Sequence, residues 1–301
     1  MEIGSKEWSA LITIGAGAFG VEVTAAHTAQ MARHAQLLLA WNRVTNLTTV
    51  VEPAAMALTH YLDSLSAAPL VPPAAALLDI GSGGGFPGLP LHILRPGLRT
   101  TLIDASRKKV SFLRHAIREL GLTGILALHS RAEELAARSG GSPRFGVIAS
   151  RALGAVAPFV GMALPLLAPD GCIVAMKGEL DPVEIRAIQH AAESGGYGAV
   201  LRLRSRRYRL PGLSSERVLL VFDRPPCHPY TQRLLAATPR LHAKVDELAF
   251  IPGAPPDLLD PPKGCRFQPR CSVAMDVCAE EPPLVEIEPG HLVACWRCRN
   301  A

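Results

Sequence analysis

This 301-residue sequence lacks long apolar runs, a phosphate-binding lysine loop and evenly spread cysteines. No apolar run approaches the roughly 20 residues of a membrane-spanning helix, so we expect a soluble, cytoplasmic protein. The pattern G-x-x-x-x-G-K-[ST] occurs nowhere, which excludes the usual phosphate-gripping loop of ATPases. Six of the seven cysteines follow residue 224. The remaining one, Cys172, lies inside an apolar stretch where a packing role is expected.

The sequence does have ample apolar content and an excess of positive charge. Hydrophobic residues make up 49% of the chain, which is enough for a sizeable core. The length favours one full domain with an appendage, or two domains. The formal net charge of +5 favours an acidic partner such as nucleic acid, although it does not require one.

The most informative stretch lies between residues 76 and 104. An apolar run ending at Asp79 is followed by residues 81–85, which we call the glycine loop, and a second apolar run ends at Asp104. Glycines let the backbone approach a ligand closely, and an acid at the end of the next strand accepts hydrogen bonds from ribose hydroxyls. Asp79 would repel a pyrophosphate but suits an ammonium group. The pattern predicts S-adenosylmethionine (SAM); an ordinary glycine-rich turn is the alternative.

Strands and helices alternate after Asp104. Apolar runs predict strands over residues 125–129, 145–150 and 171–176, with helical stretches between them. This alternation predicts an α/β fold with a doubly wound, mostly parallel sheet, whose ligands bind at the carboxyl ends of the strands. Six candidate site residues fall at such ends: Asp79, Asp104, Ala132, Glu133, Arg151 and Lys177.

Residues 1–22 contain a superficial dinucleotide fingerprint. Gly15, Gly17 and Gly20 spell G-x-G-x-x-G after a short apolar run. The fingerprint needs a second strand with an acid about 20 residues further on, and none follows here. We therefore expect a flexible lead-in.

Residues 23–70 show helical periodicity and predict an N-terminal helical cap. Polar residues at Asn42, Asn46, His60 and Asp63 stand among apolar ones, which is typical of a helix end or a buried hydrogen-bonded corner. The functional alternative is a lid over the glycine loop.

A closing antiparallel pair of strands is predicted over residues 199–222. Arg202, Arg204, Arg206 and Arg209 alternate in part with apolar residues, so one face of this segment is cationic. Such a face suits phosphates, but it equally suits a charged, solvent-facing edge that discourages aggregation. Both interpretations stay open.

Several of these segments resemble one known family. The runs WNRVTNLT, HYLDSL, DIGSGGGFPGLPL, LIDASRKKVSFL, SRAEEL, SRALG and MKGE occur in this order between residues 20 and 224, and together they resemble the RsmG (GidB) family of 16S ribosomal RNA methyltransferases. The resemblance implies a Rossmann-like class I SAM-dependent methyltransferase domain over residues 71–224. It also implies the 16S RNA, or the small-subunit particle, as partner. In that family SAM is contacted at positions matching Gly81, Phe86, Ala132, Glu133 and Arg151.

Asp104 joins this set on the ribose argument given above. The implied substrate atom is guanine N7, which is a lone-pair acceptor without a proton, so methyl transfer needs no general base. We therefore expect no catalytic nucleophile or base, and we interpret Arg151 and Lys177 as positioning or RNA-contacting groups. Catalysis should come mainly from alignment of the reacting atoms.

Residues 225–301 are a different kind of sequence, rich in proline and cysteine. The runs HPYTQRLLAATP, IPGAPPDL and GCRFQPRCSVAMDVCAEEPP resemble the carboxyl-terminal extension of oligopeptide and dipeptide ABC-transporter ATPases. In that family four cysteines, associated with an iron–sulfur cluster, match Cys265, Cys271, Cys278 and Cys295. The lysine loop of the ATPase body is missing, so ATP hydrolysis is not implied. Association with transporter partners through this tail is the alternative function.

The tail cysteines allow three other interpretations. A structural zinc site is chemically feasible, with Cys298 as an alternative fourth ligand. A disulfide framework would require an oxidising compartment. The third interpretation, which we favour, is a vestigial tail with free thiols that keeps its helix and its cysteine loop.

Overall fold

Seven strands form one sheet in the first part of the chain. The computed structural model describes residues 1–138, 144–151, 154–180, 182–193, 201–223, 228–237, 250–257, 259–288 and 291–298. The strands are β1 (Ala76–Ile80), β2 (Arg99–Asp104), β3 (Ile125–His129), β4 (Phe145–Arg151), β5 (Leu167–Lys177), β6 (Arg202–Arg209) and β7 (Glu216–Asp223). Their order is β3-β2-β1-β4-β5-β7-β6, with β1 to β5 parallel and β7 antiparallel to both neighbours. The predicted doubly wound sheet and its closing antiparallel pair are confirmed.

Helices cover both faces of this sheet because its strands send alternate side chains to opposite sides. Leu77 of β1 belongs to one apolar cluster and Leu78 to the other. The covering helices are α5 (Gly88–Leu94), α6 (Arg107–Glu119), α7 (Ala132–Arg138), α8 (Val156–Ala163) and α9 (Pro182–Glu193). The first two pack in the cluster of Leu77, and the other three in the cluster of Leu78. Over the described residues, no helix is both long and apolar enough to span a bilayer.

The segment before β1 adds a helical layer to the cluster of Leu77. It consists of α1 (Lys6–Gly17), α2 (Ala25–Asn42) and a continuous helix built from α3 (Pro53–Met56), a π-helical turn (Ala57–Leu62) and α4 (Asp63–Leu65). A short 3₁₀ turn (Ala68–Leu70) leads towards β1. Helices therefore occupy most of the predicted cap.

The expected flexible lead-in over residues 1–22 is wrong, because residues 6–17 form α1. The Ser5 hydroxyl accepts the Trp8 backbone N–H at 3.2 Å and caps the helix. Trp8 and Ile12 lie four residues apart on one face and are fully buried. A Cβ at Gly15 would overlap the Leu62 side chain, so this glycine permits close packing against the π-helical turn.

The chain divides into two units, Met1–Arg224 and Pro225–Ala301. The second unit contains α10 (Pro229–Ala237) and a two-stranded antiparallel sheet of β8 (Leu284–Glu288) and β9 (His291–Ala294). Short 3₁₀ turns, including Gln268–Arg270 and Asp276–Ala279, connect these elements. Its apolar cluster contains few buried side chains among the described residues, as expected for a small appendage.

The role of α1 as part of the core gives a direct stability test. The Trp8 indole N–H donates to the Pro53 carbonyl at 3.0 Å, and its ring lies 5.4 Å from that of Tyr61. We expect Trp8→Ala to lower the free energy of unfolding by about 3–5 kcal/mol, the usual range for a buried tryptophan. Ile14→Ala is the matched control on the same helix. Because Ile14 is 76% exposed, its change should stay within about 0.5 kcal/mol. Urea denaturation measures both, and equal losses would contradict the buried role of α1.

Candidate active site

The glycine loop connects β1 to α5 at the carboxyl edge of the sheet. Gly81, Gly83 and Gly85 have φ values of 73°, 56° and 96°, which lie in the left-handed region that favours glycine. The N–H groups of Gly81 and Ser82 both donate to the Ile103 carbonyl, at 2.9 and 3.0 Å. These bonds fasten the loop to the end of the neighbouring strand β2. The loop is therefore a fixed backbone surface.

Asp104 holds the same loop through its side chain. Its Oδ2 accepts the Gly83 N–H at 3.0 Å, and its Oδ1 accepts the Ser106 N–H at 2.8 Å. A carboxylate oxygen has capacity for more than one hydrogen bond, so both oxygens keep lone pairs for hydroxyl donors. The predicted ribose acceptor thus also fixes the loop beside which a ribose would lie.

Asp79 is fully buried beneath the loop. Its Oδ2 accepts the Gly88 N–H at 2.9 Å, so the first N–H of α5 is not free to bind a ligand. Its Oδ1 has no hydrogen-bond partner among the described residues. Burial raises the pKa of Asp79 to about 7, although the bond from Gly88 acts in the opposite direction. The orphan oxygen gives this acid capacity for one further donor.

The glycines of the loop differ in what surrounds them. A Cβ at Gly85 would overlap Leu89, and one at Gly84 would lie 3.0 Å from Leu38 Cδ1. A Cβ at Gly83 would have the Gly81 carbonyl oxygen, at 3.8 Å, as its nearest described contact. Gly84 and Gly85 therefore permit close packing against neighbouring side chains. Gly83 borders open space that a ligand could occupy.

Phe86 and Arg151 meet where the loop contacts the N-terminal helices. The Phe86 ring is 4% exposed and lies 4.6 Å from the His60 ring. The Arg151 guanidinium stacks over the same ring at 4.7 Å from its centroid. Arg151 Nη1 donates to the Thr59 carbonyl at 2.5 Å and lies 3.6 Å from Asp63 Oδ2. Because the Phe86 ring is occupied by these contacts, a ligand would reach this residue through its backbone.

The other predicted site residues follow the neighbouring strands. Ala132 begins α7 and is 3% exposed, whereas Glu133 faces solvent beside it. Lys177 ends β5, and its ammonium donates to the Gly154 carbonyl at 2.8 Å and pairs with Glu184 at 2.7 Å. Lys177 is therefore held by its own neighbours. Strand pairing places all of these positions on one edge of the sheet.

The corner after α2 is hydrogen-bonded, as one of our two interpretations predicted. Asn42 Oδ1 accepts the N–H groups of Leu47 and Thr48, at 2.8 and 3.0 Å, and closes the turn. Thr48 Oγ1 lies 2.8 Å from His60 Nε2. The buried-corner interpretation is confirmed for His60, whereas Asn42 is hydrogen-bonded but only half-buried and Asn46 is exposed.

His60 is held as a neutral imidazole. Its Nδ1 lies 3.3 Å from Arg151 Nη2, which can only donate, so the His60 proton resides on Nε2 and is donated to Thr48 Oγ1. Burial lowers the pKa of His60 to about 3, and the charge of Arg151 adds to this effect. The corner therefore presents Arg151 with an acceptor near neutral pH.

Asp63 has a larger role than the sequence indicated. Its carboxylate is 1% exposed, and it accepts the Tyr208 hydroxyl at 2.7 Å and Arg217 Nη1 at 3.0 Å. Tyr208 and Arg217 come from β6 and β7, about 150 residues further along the chain. The helical periodicity around Asp63 gave no signal for these partners.

The cationic strand is partly neutralised by its neighbour. Arg202 Nη2 and Arg204 Nη2 both donate to Asp223 Oδ2, at 3.1 and 2.5 Å. The Arg206 guanidinium lies 5.8 Å from the Phe19 ring centroid. Arg209 is exposed. These contacts favour a charged sheet edge over an open row of phosphate ligands.

The four tail cysteines of the predicted metal set line one small cavity of about 10 Å³, next to His228. Their thiols are free, and the Cys265 N–H donates to the Cys278 carbonyl at 2.9 Å, closing the cysteine loop. However, no three His, Cys, Asp or Glu side chains within the described ranges are arranged to hold a metal ion. The described geometry of Cys265, Cys271, Cys278 and Cys295 thus does not fit the iron–sulfur centre that the resemblance implies, or the zinc site that was its alternative.

The sheet order and the acid-flanked glycine loop at its edge together define a class I SAM-dependent methyltransferase fold. Residues 27–201 match the family model for rRNA small subunit methyltransferase G (GidB), and the chain belongs to this family. The resemblance stated from the sequence is confirmed. Residues 218–278 also match the model for the oligopeptide/dipeptide transporter C-terminal region.

Relatives of known name share most of the first unit. "Ribosomal RNA small subunit methyltransferase G" of Geobacter sp. (strain M21) is 42% identical over 214 residues, which are 71% of this chain and 96% of that protein. The protein of the same name from Geobacter metallireducens is 46% identical over 174 residues, covering 58% of this chain and 78% of that protein. The protein of the same name from Methylibium petroleiphilum is 40% identical over 215 residues, which cover 70% of this chain and 91% of that protein.

The raised pKa of Asp79 makes the stability of the ligand-free protein depend on pH. The folded protein retains a proton that the unfolded chain releases between the ordinary pKa of 3.8 and about 7. The stability contributed by Asp79 is therefore fully present below pH 3.8 and lost as the pH rises through about 7. We expect the free energy of unfolding of the wild type, relative to Asp79→Asn, to decrease over this window.

Urea denaturation of both proteins at several pH values measures this difference. Burial also lowers the pKa of His34 to about 4, as it lowers that of His60, and the contributions of both histidines are common to the two proteins and cancel. A difference that does not change with pH would contradict the raised pKa.

Proposed function

We propose that this protein transfers the methyl group of SAM to N7 of a guanine in 16S ribosomal RNA. The observation that carries this proposal is the glycine loop fixed between Asp79 and Asp104 in a chain of the methyltransferase G family. The names of the relatives supply the substrate class, since each is called a ribosomal RNA small subunit methyltransferase. The positive net charge of +5 agrees with an RNA partner. Such a substrate implies action in the cytoplasm.

The side chains at the carboxyl ends of the strands match the functional groups of SAM. The orphan Oδ1 of Asp79 offers an acceptor for an ammonium group, and the free lone pairs of Asp104 offer acceptors for ribose hydroxyls. The backbone at Gly81 and Gly83 can be approached closely. We assign further cofactor contacts to the Phe86 backbone, Ala132, Glu133 and Arg151.

The proposed reaction does not require acid–base catalysis by these side chains. SAM supplies an electrophilic methyl group on a sulfonium. The N7 lone pair forms the new bond while the carbon–sulfur bond breaks, and no proton has to leave N7. The contribution of the protein is to align the two reactants and to exclude water. Arg151 and Lys177 are held by neighbours, which suits positioning rather than proton transfer.

The proposed reaction has a chemical signature that other methylations lack. N7-methylguanosine becomes sensitive to borohydride reduction followed by aniline cleavage. We expect the purified protein with SAM to produce one such cleavage in unmodified small-subunit RNA. Incorporation of methyl groups without aniline sensitivity would contradict N7 as the acceptor, and no incorporation into RNA or subunits would contradict the proposed function.

The open space beside Gly83 gives a test of the cofactor site. Gly83→Ala places a methyl group on the surface where we place SAM, so we expect SAM affinity to fall at least tenfold. Gly212→Ala is the matched control, because Gly212 also has a positive φ, 71°, and no described atom within 4 Å of an added Cβ. Gly212 lies in the turn between β6 and β7, so this control costs similar backbone strain without touching the loop. Calorimetry measures both affinities, and equal changes would contradict the site.

The tail is proposed to be dispensable for methyl transfer. The second unit begins at Pro225, after the last strand of the sheet, and the family match ends at residue 201. We expect a chain ending at residue 224 to methylate small-subunit RNA at close to the full-length rate. A large loss of activity in a truncated protein with unchanged SAM affinity would show that the tail takes part in RNA binding.

A further inference from the structure

Among the described contacts, every polar group that holds the Arg151 side chain belongs to one helix. The Thr59 carbonyl, His60 Nδ1 and Asp63 Oδ2 lie 2.5, 3.3 and 3.6 Å from its guanidinium nitrogens. Thr59 and His60 belong to the π-helical turn, and Asp63 follows it directly. Helical turns of this kind are rare and often occur at functional sites.

The Asp63 carboxylate is the point where this helix meets the closing strands. Its Oδ2 faces both Arg151 and Arg217, and its Oδ1 accepts the Tyr208 hydroxyl. The side chain is 1% exposed, so water does not compensate its charge. The two cations repel each other, and both are attracted to this one carboxylate. Asp63 therefore fixes the direction in which the Arg151 side chain extends.

We propose that Asp63 is a positioning residue that orients Arg151 for SAM, with Tyr208 and Arg217 holding Asp63 from the far strands. This inference rests on the proposed function, since it takes the Arg151 contact with SAM from there. It assigns β6 and β7 a role in the site although neither strand contributes a residue to the glycine loop. Tyr208 and Arg217 act on the cofactor only through Asp63.

A double-mutant cycle separates positioning from a merely structural role. We expect Asp63→Asn to weaken SAM binding about tenfold, which corresponds to about 1.4 kcal/mol. Arg151→Ala should weaken it at least as much, and Asp63→Asn should have no additional effect in the Arg151→Ala background. Calorimetry with SAM on the full-length chain gives the four dissociation constants. An unchanged constant in Asp63→Asn, or the same tenfold loss in both backgrounds, would overturn the inference.

A second variant keeps the test decisive if Asp63→Asn does not fold. Tyr208→Phe removes one hydrogen bond from Asp63 Oδ1 and leaves every charge in place. We expect about a threefold loss of SAM affinity that disappears in the Arg151→Ala background. No loss in the folded Tyr208→Phe variant would then contradict the inference.

The matched control is Thr100→Val, which removes a buried hydroxyl of the same unit. Thr100 is 2% exposed, bonds to His92 Nδ1 at 3.0 Å and touches none of the Asp63 partners. Its SAM affinity should equal that of the wild type. A wild-type protein that binds no SAM would refute the proposed function itself, which distinguishes that failure from a failure of the Asp63 inference.

Discussion

The arrangement of the first unit depends on the contacts of the half-buried Arg151 guanidinium. It lies at the end of β4, stacks on Phe86 at the edge of the glycine loop, and bonds to the helix that carries Thr59 and Asp63. Removing a partner from a buried ion pair leaves an uncompensated charge, so these elements are constrained to one another. The N-terminal helices thus form part of the site wall.

Two carboxylates form a second constraint, which fixes the glycine loop. Asp79 accepts the first N–H of α5, and Asp104 accepts the N–H of Gly83, so the two acids determine the shape of the backbone between them. The same acids retain capacity to accept further hydrogen bonds, at Asp79 Oδ1 and at the Asp104 carboxylate. A preformed surface of this kind reduces the entropy that is lost on binding. This agrees with a reaction in which alignment supplies most of the rate.

Local patterns predicted the sheet and its edge because their signals are short in sequence. The spacing of Asp79, the glycine loop and Asp104 needs fewer than 30 residues. Contacts between residues that are far apart in the sequence have no such local signal. Nothing in the sequence near Asp63 indicates that Tyr208 and Arg217 are its partners. Helix α1 was missed because its glycines lower helix propensity, whereas the burial of Trp8 stabilises the helix in the folded chain.

The tail cysteines illustrate a different limit. The resemblance implied one shared metal centre and the four cysteines do line one cavity, yet a match in sequence does not determine where the thiols lie. In the first unit, by contrast, sheet topology itself brings the strand ends together, so residues that follow different strands could be grouped in advance.

A crystal structure of the protein with S-adenosylhomocysteine would test the account most directly. We expect the amino-acid part of this product to rest on the glycine loop with its ammonium near Asp79 Oδ1. The ribose hydroxyls should donate to Asp104, and Arg151 should keep its hydrogen bond to Thr59 and its ion pair with Asp63. A ligand bound at another edge of the sheet, or an Arg151 side chain released from Asp63 in the complex, would contradict the account.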